Sequence, residues 1–168
     1  MSQLYPLKFQ SIFKEKVWGG TRLKTVLKKS IPNNKTGESW ELSSVEGNVS
    51  IVSNGFLADN SLEEIIEVYM GDLVGERIFE EFGTVFPLLF KFIDANDFLS
   101  VQVHPNDDLA LKKHNSFGKT EIWYIVDSVK NAKVFAGFKK AMSKNEFKLL
   151  VEKNEVESTL RTEYVKKD

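Results

Sequence analysis

The chain has 168 residues, of which 42% are hydrophobic and 28% are charged, a composition typical of a soluble domain. Its formal net charge of −1 provides no basic excess, so the composition favours neither nucleic-acid binding nor attachment to a membrane surface. The sequence has no cysteine, which excludes disulfides and thiolate metal sites, and its two histidines, His104 and His114, limit any metal centre.

The spacing of apolar residues predicts a mainly β chain with short helices inserted between hairpins. No internal repeat, low-complexity tract or linker interrupts the chain, so we expect one domain over residues 1–168. Ser-x-x-Glu motifs at Ser61 and Ser143 predict two helix starts, each a capping box. In chain order, the predicted elements are a strand over 5–13, a glycine turn over 16–20, a helix over 21–29, strands over 37–43 and 48–52, helices over 61–70 and 76–82, strands over 88–93 and 98–105, a helix over 107–114, strands over 119–127 and 133–138, a helix over 143–152 and a last strand over 158–166.

The predicted strand over 37–43 carries two carboxylates and a tryptophan. Its alternation puts Glu38 and Trp40 on one face and Ser39 and Glu41 on the other. Two carboxylates around a tryptophan suit proton transfer or hydroxyl binding. A solvated sheet edge is the commoner explanation for such charges, and the residues alone leave both open.

Two other residues interrupt otherwise ordinary patterns. Trp18 precedes Gly19 and Gly20, which predicts a turn with close backbone approach, in which Trp18 is either a simple anchor or part of a site. Lys91 interrupts the apolar run 88–93. A lysine there either extends its ammonium group to the edge of the sheet or places a cation in a cavity.

The predicted strand over 98–105 organises the candidate site. Its alternation puts Ser100, Gln102 and His104 on one face of the strand. The two neighbouring predicted strands are apolar enough to be buried, and a buried polar group without a partner costs about 2–7 kcal/mol. Because Pro105 favours extended geometry in the residue before it, we expect His104 at the end of this strand.

A divalent metal ion is one partner that satisfies these polar groups. Gln102 and His104 are two residues apart and point to the same place, and Glu121 lies on a predicted strand that can run beside them. An amide oxygen, an imidazole and a carboxylate suit zinc. Because the amide is neutral, the bound dication keeps a positive charge that favours anionic or hydroxyl-rich substrates. The alternative is a histidine hydrogen-bonded within the core.

Four motifs occur in order along the chain: residues 17–20 (VWGG), 37–41 (GESWE), 99–105 (LSVQVHP) and 118–124 (GKTEIWY). Together they resemble the type I mannose-6-phosphate isomerases, especially the shorter bacterial members, over essentially the whole chain. The resemblance implies a cupin, which is a β-barrel of jelly-roll type. It also implies a zinc enzyme that interconverts mannose 6-phosphate and fructose 6-phosphate.

The resemblance also assigns roles to individual residues. The implied zinc ligands are Gln102, His104 and Glu121. The implied substrate contacts are Trp18, Lys91, Ser100 and Lys119. The implied reaction moves a proton between C1 and C2 through an enediol, for which Lys119 and Glu41 are the local candidates as catalytic base.

Two functional residues of the family pattern have no counterpart in this sequence. They are a second zinc-binding histidine on a later strand and a catalytic arginine. His114 lies in a predicted helix, and Arg161 does not match the arginine motif. We therefore expect an N-terminal portion of an isomerase, with a barrel that is incomplete at its C-terminus. Its open sheet edges invite pairing with a second copy, as a homodimer.

Two other functions stay open on the same barrel. The first is a non-catalytic cupin that binds a sugar or a protein partner without metal. The second is a non-haem iron oxygenase, which requires two histidines and a carboxylate, so that Gln102 argues against it.

The expected partner of the chain is a small sugar phosphate, with neither nucleic acid nor membrane. A cytoplasmic location is expected because no stretch approaches about 20 apolar residues and residues 1–16 lack the apolar block of a signal peptide.

Overall fold

A computed structural model describes residues 4–167 of the chain. Its contacts divide the chain into two compact units, with the boundary between Leu99 and Ser100. The strands are β1 (Ile12–Gly20), β2 (Thr36–Leu42), β3 (Ser44–Val45), β4 (Asn48–Val49), β5 (Phe90–Ile93), β6 (Lys133–Phe138) and β7 (Leu160–Tyr164), and the helices are α1 (Arg22–Thr25), α2 (Leu62–Tyr69), α3 (Gly71–Val74), α4 (Glu76–Phe82), α5 (Asp107–His114) and α6 (Lys144–Glu152). Within the described residues, no helix is long and apolar enough to cross a membrane.

The first unit contains an antiparallel sheet in the order β1-β2-β5. The middle strand, β2, confirms the predicted strand over 37–43, and its alternation holds: Trp40 bonds Glu38 on one face, whereas Ser39 bonds Glu41 on the other. The register places Glu38 opposite Ile93 on β5. The charged residues of β2 are therefore held at fixed positions between two strands.

Helix α2 supplies much of the core of the first unit. Its capping box is present, with the Ser61 hydroxyl accepting from the Glu64 backbone and the Glu64 carboxylate accepting from the Ser61 backbone. Ile65 and Tyr69 pack with the fully buried Val52. The helix thus begins where its sequence motif predicts, and the face that carries Ile65 and Tyr69 is buried.

The predicted turn over 16–20 is wrong, because β1 continues through Gly20. The close backbone approach that the glycines predicted is confirmed. A Cβ on Gly19 would lie 2.4 Å from the Lys35 carbonyl oxygen, and one on Gly20 would lie 3.0 Å from Asp94 Oδ2. The glycines therefore allow the end of β1 to pack against the Lys35 backbone and the Asp94 side chain instead of reversing the chain.

The second unit contains the antiparallel pair β6 and β7 together with helices α5 and α6. Asn106 caps α5 by accepting from the Leu109 backbone, and the predicted helix over 107–114 is confirmed. Ser143 and Glu146 form the predicted capping box of α6.

The predicted strands over 98–105 and 119–127 are wrong. Among residues 4–167, neither segment forms a strand ladder, and most of their apolar side chains are exposed, Val103 by 81% and Ile122 by 96%. Alternation predicts which side chains share a face, but a strand also needs a partner for its backbone groups. Neither segment pairs in this way with another part of the described chain.

Candidate functional site

Three polar side chains of the second unit converge despite the missing strands. The imidazole Nε2 of His104 lies 3.5 Å from Glu121 Oε2. The Lys119 ammonium nitrogen lies 3.0 Å from Glu121 Oε1 and 3.3 Å from His104 Nε2. We call these three residues the His104 cluster. The two oxygens of Glu121 have different neighbours, one the lysine and the other the imidazole.

Backbone contacts at the start of α5 hold this cluster together. The Lys119 backbone N–H donates to the Pro105 carbonyl at 3.3 Å, and the Gly118 N–H donates to Asp107 Oδ1 at 2.8 Å. A Cβ on Gly118 would lie 2.6 Å from the Asp107 backbone nitrogen, so only glycine fits without a shift. The segment after Gly118 is thereby fixed against the segment that carries His104.

The chemistry of His104 and Glu121 fits a zinc ion. Two ligand atoms bound at about 2.0–2.2 Å to one tetrahedral zinc ion lie roughly 3.3–3.5 Å apart. The 3.5 Å between His104 Nε2 and Glu121 Oε2 matches this separation. The third predicted ligand, Gln102, is exposed, and no hydrogen bond joins it to the cluster in the part of the chain that the structure describes. Within that same part, no group of three or more His, Cys, Asp or Glu residues is arranged to hold a metal ion.

A second polar group lies on one face of the first unit's sheet. Glu38 is buried, with 7% of its surface exposed. Its Oε2 accepts from the Trp40 indole Nε1 at 2.7 Å, and its Oε1 lies 3.4 Å from the Lys91 ammonium nitrogen and 3.9 Å from that of Lys16. We call these four residues the Glu38 cluster. The Lys91 ammonium group is thus neither free at a sheet edge nor unpaired.

Glu41 lies on the opposite face of β2 from the Glu38 cluster. Its Oε2 forms an ion pair with Lys29 at 2.8 Å and accepts from the Ser11 hydroxyl at 3.4 Å, and its Oε1 accepts from Ser39 at 2.5 Å. A carboxylate with three such partners is held in one position. The sheet therefore separates Glu41 from Lys91, although the sequence grouped both with the site.

The remaining predicted substrate contacts lie in different units. Trp18 is half-buried on β1, where a Cβ on Gly37 would lie 2.7 Å from its Cζ3. Its carbonyl accepts from the Asn96 backbone at 2.9 Å. Ser100 is an exposed residue of the second unit and, within residues 4–167, has no hydrogen bond to the His104 cluster.

Sequence reasoning missed two residues that organise the His104 cluster, Asp107 and Gly118. The signal was present: a glycine immediately precedes Lys119, and an aspartate opens α5 directly after its Asn106 cap. It also treated Glu38 as a partner of Trp40 without placing Lys91 beside it. The pairing of β2 with β5 was the missing information.

The sheet of short antiparallel strands with inserted helices has solved counterparts. A crystal structure of the mannose 6-phosphate isomerase from Bacillus subtilis superimposes with a TM-score of 0.85 at 35% identity, covering 96% of this chain and 50% of that one. This likeness defines a cupin-type β fold. Residues 6–122 match the family model for the phosphomannose isomerase type I catalytic domain. The chain belongs to the type I phosphomannose isomerase family.

Two further similarities bear on the site. The probable mannose-6-phosphate isomerase GmuF of Bacillus subtilis is 42% identical over 158 residues, covering 94% of this chain and 48% of the relative. The mannose 6-phosphate isomerase of Salmonella typhimurium, solved with fructose 6-phosphate and zinc, is 29% identical with a TM-score of 0.54, covering 65% of this chain and 28% of that one. This chain spans about half the length of the curated relatives that it matches.

Proposed function

We propose that this chain is part of a zinc-dependent isomerase that interconverts mannose 6-phosphate and fructose 6-phosphate. The observation that carries the proposal is the His104 cluster, in which an imidazole nitrogen and a carboxylate oxygen lie 3.5 Å apart beside a lysine. Family membership supports the same reaction, and the zinc-bound relative supports the metal.

In this proposal His104 and Glu121 hold the zinc ion, and Gln102 supplies a third ligand. When bound, zinc polarises the sugar carbonyl and stabilises negative charge on the substrate. Binding of zinc requires the imidazole to be neutral and the carboxylate to be charged. His104 and Glu121 therefore provide one neutral and one anionic ligand.

Lys119 is the residue of the His104 cluster that transfers a proton in the reaction. Its ammonium nitrogen lies 3.0 Å from one oxygen of Glu121, so the carboxylate fixes where the lysine can donate. A lysine in this place hydrogen-bonds a sugar oxygen and transfers a proton as C1 and C2 exchange oxidation state through an enediol. We place this role on Lys119 rather than Glu41, because Glu41 is engaged by Lys29 and two serine hydroxyls.

The substrate's phosphate and hydroxyl groups are contacted by Lys91, Ser100 and Trp18. Lys91 provides a cation, Ser100 a neutral hydroxyl, and Trp18 an apolar surface against which a sugar ring packs. A net positive site favours a dianionic sugar phosphate over an uncharged sugar. The substrate is therefore a phosphorylated hexose, and a cytoplasmic location follows because sugar phosphates are intracellular metabolites.

The assembly that we propose is a homodimer. In the sheet of the first unit β1 and β5 are the outer strands, each paired on one side among the described residues. Outer strands with unpaired backbone groups are the places where two copies add to each other's sheets. Light scattering behind a sizing column tests this: twice the 19.2 kDa chain mass supports it, and the mass of a single chain contradicts it.

The isomerase proposal is tested by NMR of mannose 6-phosphate incubated with the zinc-loaded protein. The expected result is fructose 6-phosphate, with loss of turnover after chelation and recovery with zinc. In D2O, solvent deuterium should enter at C2 of the recovered mannose 6-phosphate when the proton exchanges with water. Binding of mannose 6-phosphate without any product would contradict the proposal and favour a non-catalytic sugar-binding cupin.

A further inference from the structure

Glu38 is a buried carboxylate on the middle strand of the sheet. Burial of a charge without partners is costly, and such groups are ordinarily paired. Glu38 uses its two oxygens differently: Oε2 accepts from the neutral indole of Trp40 at 2.7 Å, and Oε1 faces the ammonium groups of Lys91 and Lys16 at 3.4 and 3.9 Å. One oxygen is therefore anchored, and the other is directed at cations.

The strand register explains why Lys91 is the closer cation. On β2 and β5, Trp40 lies opposite Lys91, and Glu38 lies opposite Ile93. Lys91 therefore rises from the sheet beside the indole and meets the carboxylate diagonally. A lysine side chain is flexible along its whole stem, and a fixed anion restricts the positions that its ammonium nitrogen takes. Only 19% of the Lys91 side chain is exposed, so most of its stem is already packed.

The charges on this face do not cancel. Lys14 belongs to the same face, opposite Glu38 in the register, and its ammonium nitrogen lies 4.8 Å from the centre of the Trp40 ring. Three lysines thus surround one carboxylate and one indole. A carboxylate that served only to neutralise one buried lysine would need only that single lysine beside it. Although the Lys14 ammonium group donates to Asn48 Oδ1, these residues together carry a net positive charge, which favours an anion.

We propose that Glu38 is a positioning residue, held by Trp40, that fixes the Lys91 ammonium group for contact with the anionic group of the substrate. This inference rests on the proposed function, in which Lys91 contacts a sugar phosphate. Glu38 itself does not touch the substrate and acts through Lys91. Trp40 contributes its indole N–H, which keeps the carboxylate oriented toward the lysine.

The test is a double-mutant cycle with Glu38→Gln, Lys91→Met and the double variant. Glu38→Gln should raise KM for mannose 6-phosphate roughly 10- to 100-fold with a much smaller change in kcat, because a charged contact in substrate binding is misplaced. In the Lys91→Met background the same change should have no further effect on KM. If the two substitutions changed KM independently, so that their effects multiplied in the double variant, the proposal would be overturned.

Matched variants separate positioning from general damage to the sheet. Glu15→Gln makes the same substitution at an exposed carboxylate of β1, whose partner is the Asn33 amide, and should leave KM unchanged. Trp40→Phe keeps an aromatic ring but removes the N–H, and should raise KM in the same direction as Glu38→Gln. A normal KM in Trp40→Phe would overturn the role of the indole.

A second measurement does not depend on turnover. Reductive methylation followed by mass spectrometry should modify Lys91 faster in Glu38→Gln than in the unchanged protein. Lys29, which pairs with Glu41 on the other face, should react at the same rate in both. If the unchanged protein makes no fructose 6-phosphate but Lys91 responds as expected, the proposed function fails while the pairing stands. An unchanged Lys91 rate would overturn the positioning role itself.

Discussion

His104 Nε2 and Glu121 Oε2 lie 3.5 Å apart, although neither residue belongs to a strand within the described chain. What brings them together is the start of helix α5, where Pro105 accepts from Lys119 and Asp107 accepts from Gly118. Two predicted zinc ligands therefore converge through a helix N-terminus and a glycine contact.

Lys119→Met should lower turnover of mannose 6-phosphate by roughly 100- to 10,000-fold, the range for loss of a proton-transferring group. Zinc affinity should not fall, because the substitution removes a cation from beside the Glu121 carboxylate. Steady-state kinetics and a zinc titration on the same preparation measure both quantities. Lys113→Met, at an exposed lysine of α5, is the matched control and should leave both unchanged. Turnover in Lys119→Met equal to that of the control would remove Lys119 from the reaction.

Gly118→Ala should destabilise the second unit by about 1–3 kcal/mol, the usual cost of inserting a methyl group into a tightly packed place. The new Cβ would lie 2.6 Å from the Asp107 backbone nitrogen and 2.7 Å from the Asn106 carbonyl carbon. Chemical denaturation measures the change in stability, and a zinc titration tests whether the shift also weakens metal binding. Unchanged stability and unchanged zinc affinity together would show that the close contact does not organise the cluster.

Asp107→Asn and Asp107→Ala separate the hydrogen bond to Gly118 from the charge of Asp107. The asparagine retains an oxygen that accepts from the Gly118 N–H, a bond of 2.8 Å in the structure, whereas alanine removes it. Zinc affinity should therefore be nearly normal in Asp107→Asn and reduced in Asp107→Ala. Equal losses in the two variants would point to the charge at the start of α5 instead.

Ile65→Ala should lower the free energy of unfolding by about 2–5 kcal/mol, because it leaves a cavity beside Val52 and Tyr69. Val68→Ala removes an aliphatic side chain from the exposed face of the same helix, where 57% of Val68 is accessible, and should cost under about 0.5 kcal/mol. Urea denaturation of both variants gives the comparison. Similar losses would mean that α2 does not bury the face assigned to it.

Acid should weaken the capping boxes of α2 and α6. The backbone N–H and the hydroxyl of Ser61 hold the pKa of Glu64 below its ordinary value of 4.5, and Ser143 lowers the pKa of Glu146 in the same way. Because both values are lowered by folding, the stabilisation is complete above pH 4.5 and is lost as the pH falls through the lowered values. Denaturation at neutral and acidic pH should show a smaller pH dependence in Glu64→Gln. An unchanged pH dependence would contradict this role of the carboxylate.

Local chemistry made parts of this structure predictable from the sequence. The capping residues Ser61, Asn106 and Ser143 mark three helix starts correctly. Each start depends on a hydrogen bond between the capping side chain and a backbone N–H a few residues later in the sequence. The alternation of β2 gave the correct faces for Glu38 and Glu41. In each case the deciding contacts are between residues close in the sequence.

What could not be predicted depends on distant partners. The pairing of β2 with β5 decides that Lys91 meets Glu38, and no local pattern contains that register. Residues 98–105 alternate as a strand does, yet Val103 is exposed and its segment has no ladder among the described residues. His104 and Glu121 lie close together, whereas Gln102, which was predicted to join them, is exposed. The contact between Gly118 and α5 brings the two together, and not a pair of adjacent strands.

Zinc titration of the unchanged protein and of His104→Ala and Glu121→Gln, with a competing chelator as reporter, tests the metal site most directly. The unchanged protein should bind one zinc ion per chain, and each variant should bind it at least about tenfold more weakly, since each loses a direct ligand. His114→Ala, which removes the other histidine, at the last position of α5, should bind as the unchanged protein does. Zinc affinity equal to that of the unchanged protein in both His104→Ala and Glu121→Gln would contradict the assignment of the site.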